Sequence, residues 1–245
     1  MLTAGVDLAA ADERTALALI EWSGGRALVR DLLLGVDDQL IVDTVLASDK
    51  AGLDCALGWP EPFIRMVVAH RAGHITDLPA AGAGSAWRRA MVYRTTDEVI
   101  RAAIPGLVPL SVSADRLAHA AMRCAALLAM IASGGADVDR SGSGRVVEAY
   151  PAASLHRWGL THRGYKGKKG VPVDALVAAT RPWLELGAHE LLMRASHDAF
   201  DAVIAALTAR AAALGLTARP SPGQLAVARV EGWIALPTSA LDTLP

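Results

Sequence analysis

The chain has 245 residues, of which 53% are hydrophobic, 20% charged and only 4% aromatic. So much apolar surface excludes extensive disorder, and the length suits a single α/β domain over residues 1–245 with a mainly helical insertion at about 61–140. A formal net charge of −1 excludes a globally basic nucleic-acid coat, although it leaves room for a local basic patch.

Leu2 to Leu8 reads as a buried strand interrupted by Asp7, followed by a polar turn through Arg14. Thr15–Trp22 and Arg26–Leu34 read as two more strands joined by the Ser23-Gly24-Gly25 hairpin turn. Apolar residues at helical spacing from Leu40 to Leu46 predict a helix capped by Asp37 or Asp38. Ala51–Leu57 is a fourth, buried strand containing Asp54. The order β-β-β-α-β excludes the βαβ opening of a dinucleotide fold. The middle of the chain is more helical. Pro60–Ala72 predicts a helix, Gly73–Gly84 a Gly/Ala/Pro-rich mobile loop, and Thr95 with Glu98 a capping box for a helix ending before Pro105. Ser113 caps an Ala/Leu-rich helix running to about Ser133. Val146–Tyr150 is a fifth strand, carrying Glu148. Helices are expected around 151–158, 172–186, 196–214 and 222–230, with a short apolar run at 232–236.

Cys55 and Cys124 are too few for a disulfide framework or an unaided zinc site, and read as buried thiols in a reducing compartment. No basic region precedes the first apolar run, and the longest uncharged apolar stretch, Cys124–Gly135, is too short for a bilayer. A cytoplasmic protein without membrane partners is expected.

Three apolar strands thus carry one acid each: Asp7, Asp54 and Glu148. An unpaired carboxylate buried in a strand costs roughly several kcal/mol. A nearby Arg or Lys could offset that cost for any one of them. Three together favour a shared site, because gathered carboxylates repel one another unless a cation joins them. Mg²⁺ or Mn²⁺ is the natural partner of an all-oxygen set. Asp198 and Asp201 add two acids near a helix start, where they could also serve the helix dipole. Asp201 borders the apolar stripe Phe200, Val203, Ile204, Leu207 and is the one expected to look into the sheet. The segment 157–170 mixes Arg163, Lys166, Lys168 and Lys169 with aromatics and glycines, a composition suited to phosphates and bases, or simply to a solvated loop. Arg94 belongs to a second basic cluster.

A strand acid in a three-strand meander, a second acid on strand four and a D-x-x-D-A pattern at Asp198–Ala202 resemble the ribonuclease-H-like superfamily. More closely, the chain resembles the predicted-nuclease family known as domain of unknown function 429. The matching stretches are Gly5–Ala9, Leu53–Pro60, Tyr93–Asp97, Val147–Ala152, Tyr165-Lys166, His197–Ala202 and Glu231–Ile234. The resemblance implies a mixed five-stranded sheet in order 3-2-1-4-5 with flanking helices and a carboxylate-bound metal pair. In it, Asp7 would bridge the metals, Asp54 and Asp201 would complete the site, and Glu148 or Asp198 would be further ligands. One departure is that many nucleases of the superfamily carry a Glu where Asp54 stands.

The resulting expectation is a metal-dependent phosphodiesterase acting on DNA or RNA, with Asp7, Asp54, Glu148 and Asp201 catalytic. Arg94, Arg163, Lys166, Lys168 and Lys169 would hold nucleic acid, and homo-oligomerisation is possible. A non-catalytic nucleic-acid-binding module on the same fold is the alternative. An actin-like phosphotransferase ranks last, because the turns after strands one and four have few glycines to seat a nucleotide.

Overall fold

The computed structural model describes residues 1–74, 85–113, 116–166 and 171–245, without the side chain of Arg116. Much of the expected 73–84 loop, and both Lys168 and Lys169, lie outside the described residues. β1 (Leu2–Asp7), β2 (Ala16–Ser23) and β3 (Arg26–Leu34) form an antiparallel meander. Its β2–β3 turn places Gly24 and Gly25 at φ 57° and 73°, the left-handed region that tight hairpins need. The Asp37 carboxylate accepts the Leu40 N–H at 2.9 Å and opens α1 (Asp38–Ala47). β4 (Lys50–Asp54) follows, parallel to β1. Four helices then lead to β5 (Val146–Glu148): α2 (Glu61–Arg71), α3 (Ala86–Val92), α4 (Thr95–Ala103) and α5 (Arg116–Ser133). Beyond β5 come α6 (Pro151–Arg157), α7 (Val173–Thr180), β6 (Leu184–Glu185), α8 (Glu190–Ala195), α9 (His197–Ala213) and α10 (Leu225–Glu231).

The result is an α/β fold on a mixed six-stranded sheet in the order β5-β4-β1-β2-β3-β6. The expected count of five is short by β6, which pairs parallel to β3 through Ala27 and Leu184. That stretch was expected to continue one helix over 172–186. Instead α7 ends at Thr180, Trp183 stacks on Trp22 with ring centroids 5.8 Å apart, and the Trp183 carbonyl accepts the Ala27 N–H. The strand is two residues long, too short to leave a hydrophobic period.

Apolar residues fill both faces of the sheet. On one face Ala4, Val6 and Leu17 pack with Ile41 and Val45 of α1 and with Leu127 and Ile131 of α5. On the other, Ala16, Ala18 and Ile20 pack with Phe200, Val203 and Leu207 of α9. α9 lies unusually close to β1 and β4. A Cβ built on Gly5 would collide with the Ala202 carbonyl and the Ala206 backbone N, and one on Gly52 would collide with the Ala205 carbonyl. Two strand glycines facing an alanine-rich helix therefore allow backbone to approach backbone.

The α4 cap is displaced by one residue from its expected position. Arg94 is the cap, and the Asp97 carboxylate, not Glu98, reaches back to its N–H at 2.8 Å. Glu98 pairs with Arg89 instead. The carboxylate of Glu231, at the end of α10, accepts the N–H of Glu61 at 2.9 Å and of Thr95 at 2.7 Å, so one side chain serves the first turns of both α2 and α4. Such N–H groups have no partner within their own helix. Among the described residues no helix is long and apolar enough to cross a membrane.

Candidate functional site

Asp7 ends β1, Asp54 ends β4, and the two are register partners in the parallel pair. Their side chains therefore leave the same edge of the sheet together. Asp201 lies one turn into α9, and the glycine seam brings that turn down onto them. One carboxylate oxygen from each residue lies within 4.8 Å of the other two. Asp201 is fully buried, whereas Asp7 and Asp54 keep a partly exposed edge.

Two neighbours hold Asp201. The Tyr165 hydroxyl donates to Oδ1 at 2.7 Å, and Lys166 Nζ stands 2.5 Å from Oδ2. Three carboxylates against one ammonium leave two formal negative charges. Burial is the main reason that all three acids have raised pKa values. Burial holds Asp7 well above the usual carboxylate range, and repulsion from Asp54 and Asp201 adds to it. Asp54 is pushed up to about 7 by burial, against the pull of Lys166. Burial raises Asp201 too, while Lys166 and Tyr165 draw it back. Lys166 moves upward because the three carboxylates outweigh its own burial. A cluster in this condition holds either protons or a cation. The donor set is all oxygen, and the excess charge is two. Asp7, Asp54 and Asp201 could therefore hold a metal ion, and a hard divalent cation suits them.

A surface cleft of about 390 Å³ opens over Asp7 and Lys166. Its lip is the 9–11 loop with Arg14, and its far wall is Asp198. Arg123 on α5 fixes the lip by donating to the Ala9 carbonyl at 3.0 Å, to Thr15 Oγ1 at 2.8 Å and to Asp12 at 2.5 Å.

The other expected ligands are engaged elsewhere. Both oxygens of Glu148 are held by Arg94, at 2.6 and 2.7 Å, and the Leu57 N–H adds a third bond. Arg94 is itself only 3% exposed and also grips Asp97 and the Glu231 carbonyl. Burial would lower its pKa, but Glu148 and Asp97 outweigh that and raise it. Glu148 is thus half of a buried ion pair and not a member of the carboxylate cluster. Arg94 is equally withdrawn from any phosphate, because every face of its guanidinium is used. Asp198 receives Arg14 Nε at 2.9 Å and Nη2 at 3.2 Å, with His197 Nδ1 2.7 Å from Oδ1. It faces the cleft as a salt-bridged wall. Arg163 is exposed and donates to the Pro105 carbonyl at 3.4 Å, away from the carboxylates. Lys166, expected as a phosphate contact, is ion-paired within the cluster.

Arg14 was not expected at the site. It lies in a polar turn, and only the three-residue 3₁₀ turn Asp12–Arg14 lifts it over Asp198. The pairing spans 184 residues, and no local pattern announces it. Tyr165 stood out only as part of the basic segment and of the Tyr165-Lys166 stretch that carries the resemblance, with no role at an aspartate attached to it.

The family model described as a protein of unknown function (DUF429) matches residues 5–224. The chain belongs to the DUF429 family. No curated protein and no solved structure matches it. The stretch matched to DUF429 contains all three clustered aspartates, Tyr165, Lys166 and Arg14, and stops short of Glu231.

Proposed function

We propose that this chain is a divalent-metal-dependent hydrolase of phosphodiester bonds in nucleic acid, built on a ribonuclease-H-like sheet. The observation that carries this reading is the convergence of Asp7, Asp54 and Asp201 at the C-terminal edge of two parallel strands, under a cleft open to solvent. It is supported by the run β3-β2-β1-β4-β5 within the six-stranded sheet, with β2 antiparallel and β4 parallel to β1. Asp7, Asp54 and Asp201 would hold Mg²⁺ or Mn²⁺. When bound, such an ion activates a water and stabilises the charge on a leaving phosphate oxygen. Tyr165 fixes the rotamer of Asp201, and Phe200 packs edge-on against Tyr165, 5.7 Å between centroids. Lys166 is half-exposed and can exchange Asp201 for a phosphate oxygen. Arg14 and Arg163 offer further positive charge on the exposed side.

The test is cleavage of single-stranded, duplex and branched substrates with Mg²⁺, Mn²⁺ or chelator. Asp7→Asn and Asp201→Asn should lower the rate by at least about 100-fold, since even residues behind metal ligands cost 10–100-fold. Undiminished cleavage by Asp7→Asn would overturn the assignment. One observation favours a second reading, a nucleic-acid-binding module without catalysis: Lys166 already neutralises part of the cluster. Calorimetry showing no Mn²⁺ binding together with retained nucleic-acid binding would select that reading.

A further inference from the structure

A second cleft, larger than the one over Asp7, lies elsewhere on the molecule. It encloses about 810 Å³ at the opposite end of β4 and α9. Lys50, which opens β4, lines it, whereas Asp54, which closes β4, belongs to the carboxylate cluster. Four strand steps put the two sites about 13 Å apart. The volume lies in the range of small-molecule sites, ~300–1,000 Å³.

One wall is cationic and fixed in place. Lys50 is only 8% exposed, and its ammonium is fastened to the carbonyls of Gly142 and Gly144 in the 140–144 loop. That loop is built to close tolerances. Gly142 has φ 91°, and a Cβ on Gly144 would stand 2.6 Å from the Asp137 carbonyl. An ammonium has three donors, so Lys50 keeps one after these two bonds. Arg219 also lines the cleft and, after burial, the larger cause, depresses the Lys50 pKa, while Asp137 pulls it the other way. Among the described residues, Arg219 has no hydrogen bond and no acidic partner. Two acids also line the cleft, each held by a backbone N–H: Asp49 accepts that of Leu2 at 2.7 Å and Asp137 that of Asp139 at 2.9 Å. Val147, Ala212, Ala213, Leu225 and Trp233 supply an apolar part of the lining. Lys50 and Arg219 repel, Asp137 offsets only part of that repulsion because the Lys50 pKa stays lowered, and an anion relieves the rest.

We infer that this cleft is a second ligand site, taking a phosphate-bearing anion with an apolar or planar body, the chemical class of a nucleoside mono- or diphosphate. Lys50 and Arg219 meet the phosphate, and the apolar part of the lining meets the body. The site does not depend on metal or on the carboxylate cluster.

Calorimetry in chelator with AMP, ADP and inorganic phosphate tests it on wild type, Arg219→Glu, Arg219→Lys and Asp7→Asn. ADP should bind the wild type, at least about tenfold weaker to Arg219→Glu, and within about threefold of wild type to Arg219→Lys and Asp7→Asn. Inorganic phosphate should bind at least about tenfold more weakly than ADP, because it leaves the apolar part of the lining unused. Arg219 is exposed and unpaired, so the variants keep the fold, which a thermal melt checks. The inference fails if neither nucleotide binds the wild type up to about 5 mM, or if Arg219→Glu binds as well as wild type. It also fails if Asp7→Asn abolishes binding, which would move the ligand to the carboxylate site, or if phosphate alone matches ADP.

Discussion

Gly5→Ala and Gly52→Ala probe how the cluster is assembled. At both positions the added methyl meets backbone atoms of α9 well inside van der Waals contact, and backbone cannot rotate aside. The helix must lift or the strands must bend. Overpacking of a tight core costs about 1–3 kcal/mol, and a rigid obstacle puts these substitutions at the upper end, about 3 kcal/mol each. For a domain of this size that corresponds to a fall in Tm of roughly 6–12 °C. Gly223→Ala is the control, because a Cβ there meets nothing within 4 Å and the backbone is not in the left-handed region. It should be neutral or stabilise by up to about 1 kcal/mol, through a less disordered unfolded chain. The assay is thermal and urea denaturation of the metal-free protein, followed by Mn²⁺ titration of the folded variants. Raising α9 separates Asp201 from Asp7 and Asp54, so Mn²⁺ affinity should fall together with stability. If Gly5→Ala and Gly52→Ala melt within about 2 °C of wild type, the glycine seam does not set the helix position and the reasoning is wrong.

Three other outcomes follow from the same geometry. Asp54 holds a proton to about pH 7 in the folded protein but releases it near its ordinary value when unfolded. The folded state therefore binds more protons between about pH 4 and 7, and this group's contribution to metal-free stability should decline as pH rises through that window, then level off. Excess Mn²⁺ should flatten the decline, and calorimetry in buffers of different ionisation enthalpy should register proton release on Mn²⁺ binding near pH 6. Arg94→Ala strands two buried carboxylates, Glu148 and Asp97, and should cost about 3–5 kcal/mol in urea denaturation. Glu148→Gln, which keeps shape and some hydrogen bonds, should cost less. Lys166→Met removes the ammonium that competes with a cation at Asp201 Oδ2. Its Mn²⁺ Kd should drop by about tenfold, a figure discounted from the bare charge repulsion because Lys166 is half-exposed.

The aspartates of the cluster were legible from the expense of burying a carboxylate in an apolar segment, and Asp201 from its place beside the apolar stripe of α9. The same reasoning misplaced Glu148. The cost of its burial is real, but an arginine 54 residues away meets it, and nothing local tells one arginine from another. The displaced cap on α4 is a related case. Thr95 and Glu98 satisfy the usual pattern one residue along, but Asp97 gains from holding the Arg94 side chain as well as its N–H. Strand boundaries shifted in an instructive way. Asp54 and Glu148 were read inside their strands, yet each ends one. A terminal position lets a carboxylate leave the sheet edge, so the apolar residues after it are turn and helix entry. β6 and the Arg14 contact depend on pairings between distant segments and leave no periodic trace.

The last twenty residues act as a clasp. Ile234 bridges to Glu148 alongside β5, the Ala235 N–H binds the Glu148 carbonyl, and Leu241 and Leu244 plug the core beneath α9, where Arg210 holds the Leu244 carbonyl. Glu231 meanwhile tethers the starts of two helices. A version of this protein trimmed to the family-matched span would therefore lose an edge of the sheet, a stopper for its interior and the anchor of both helices at once. Any recombinant fragment intended for biochemistry has to include Leu244.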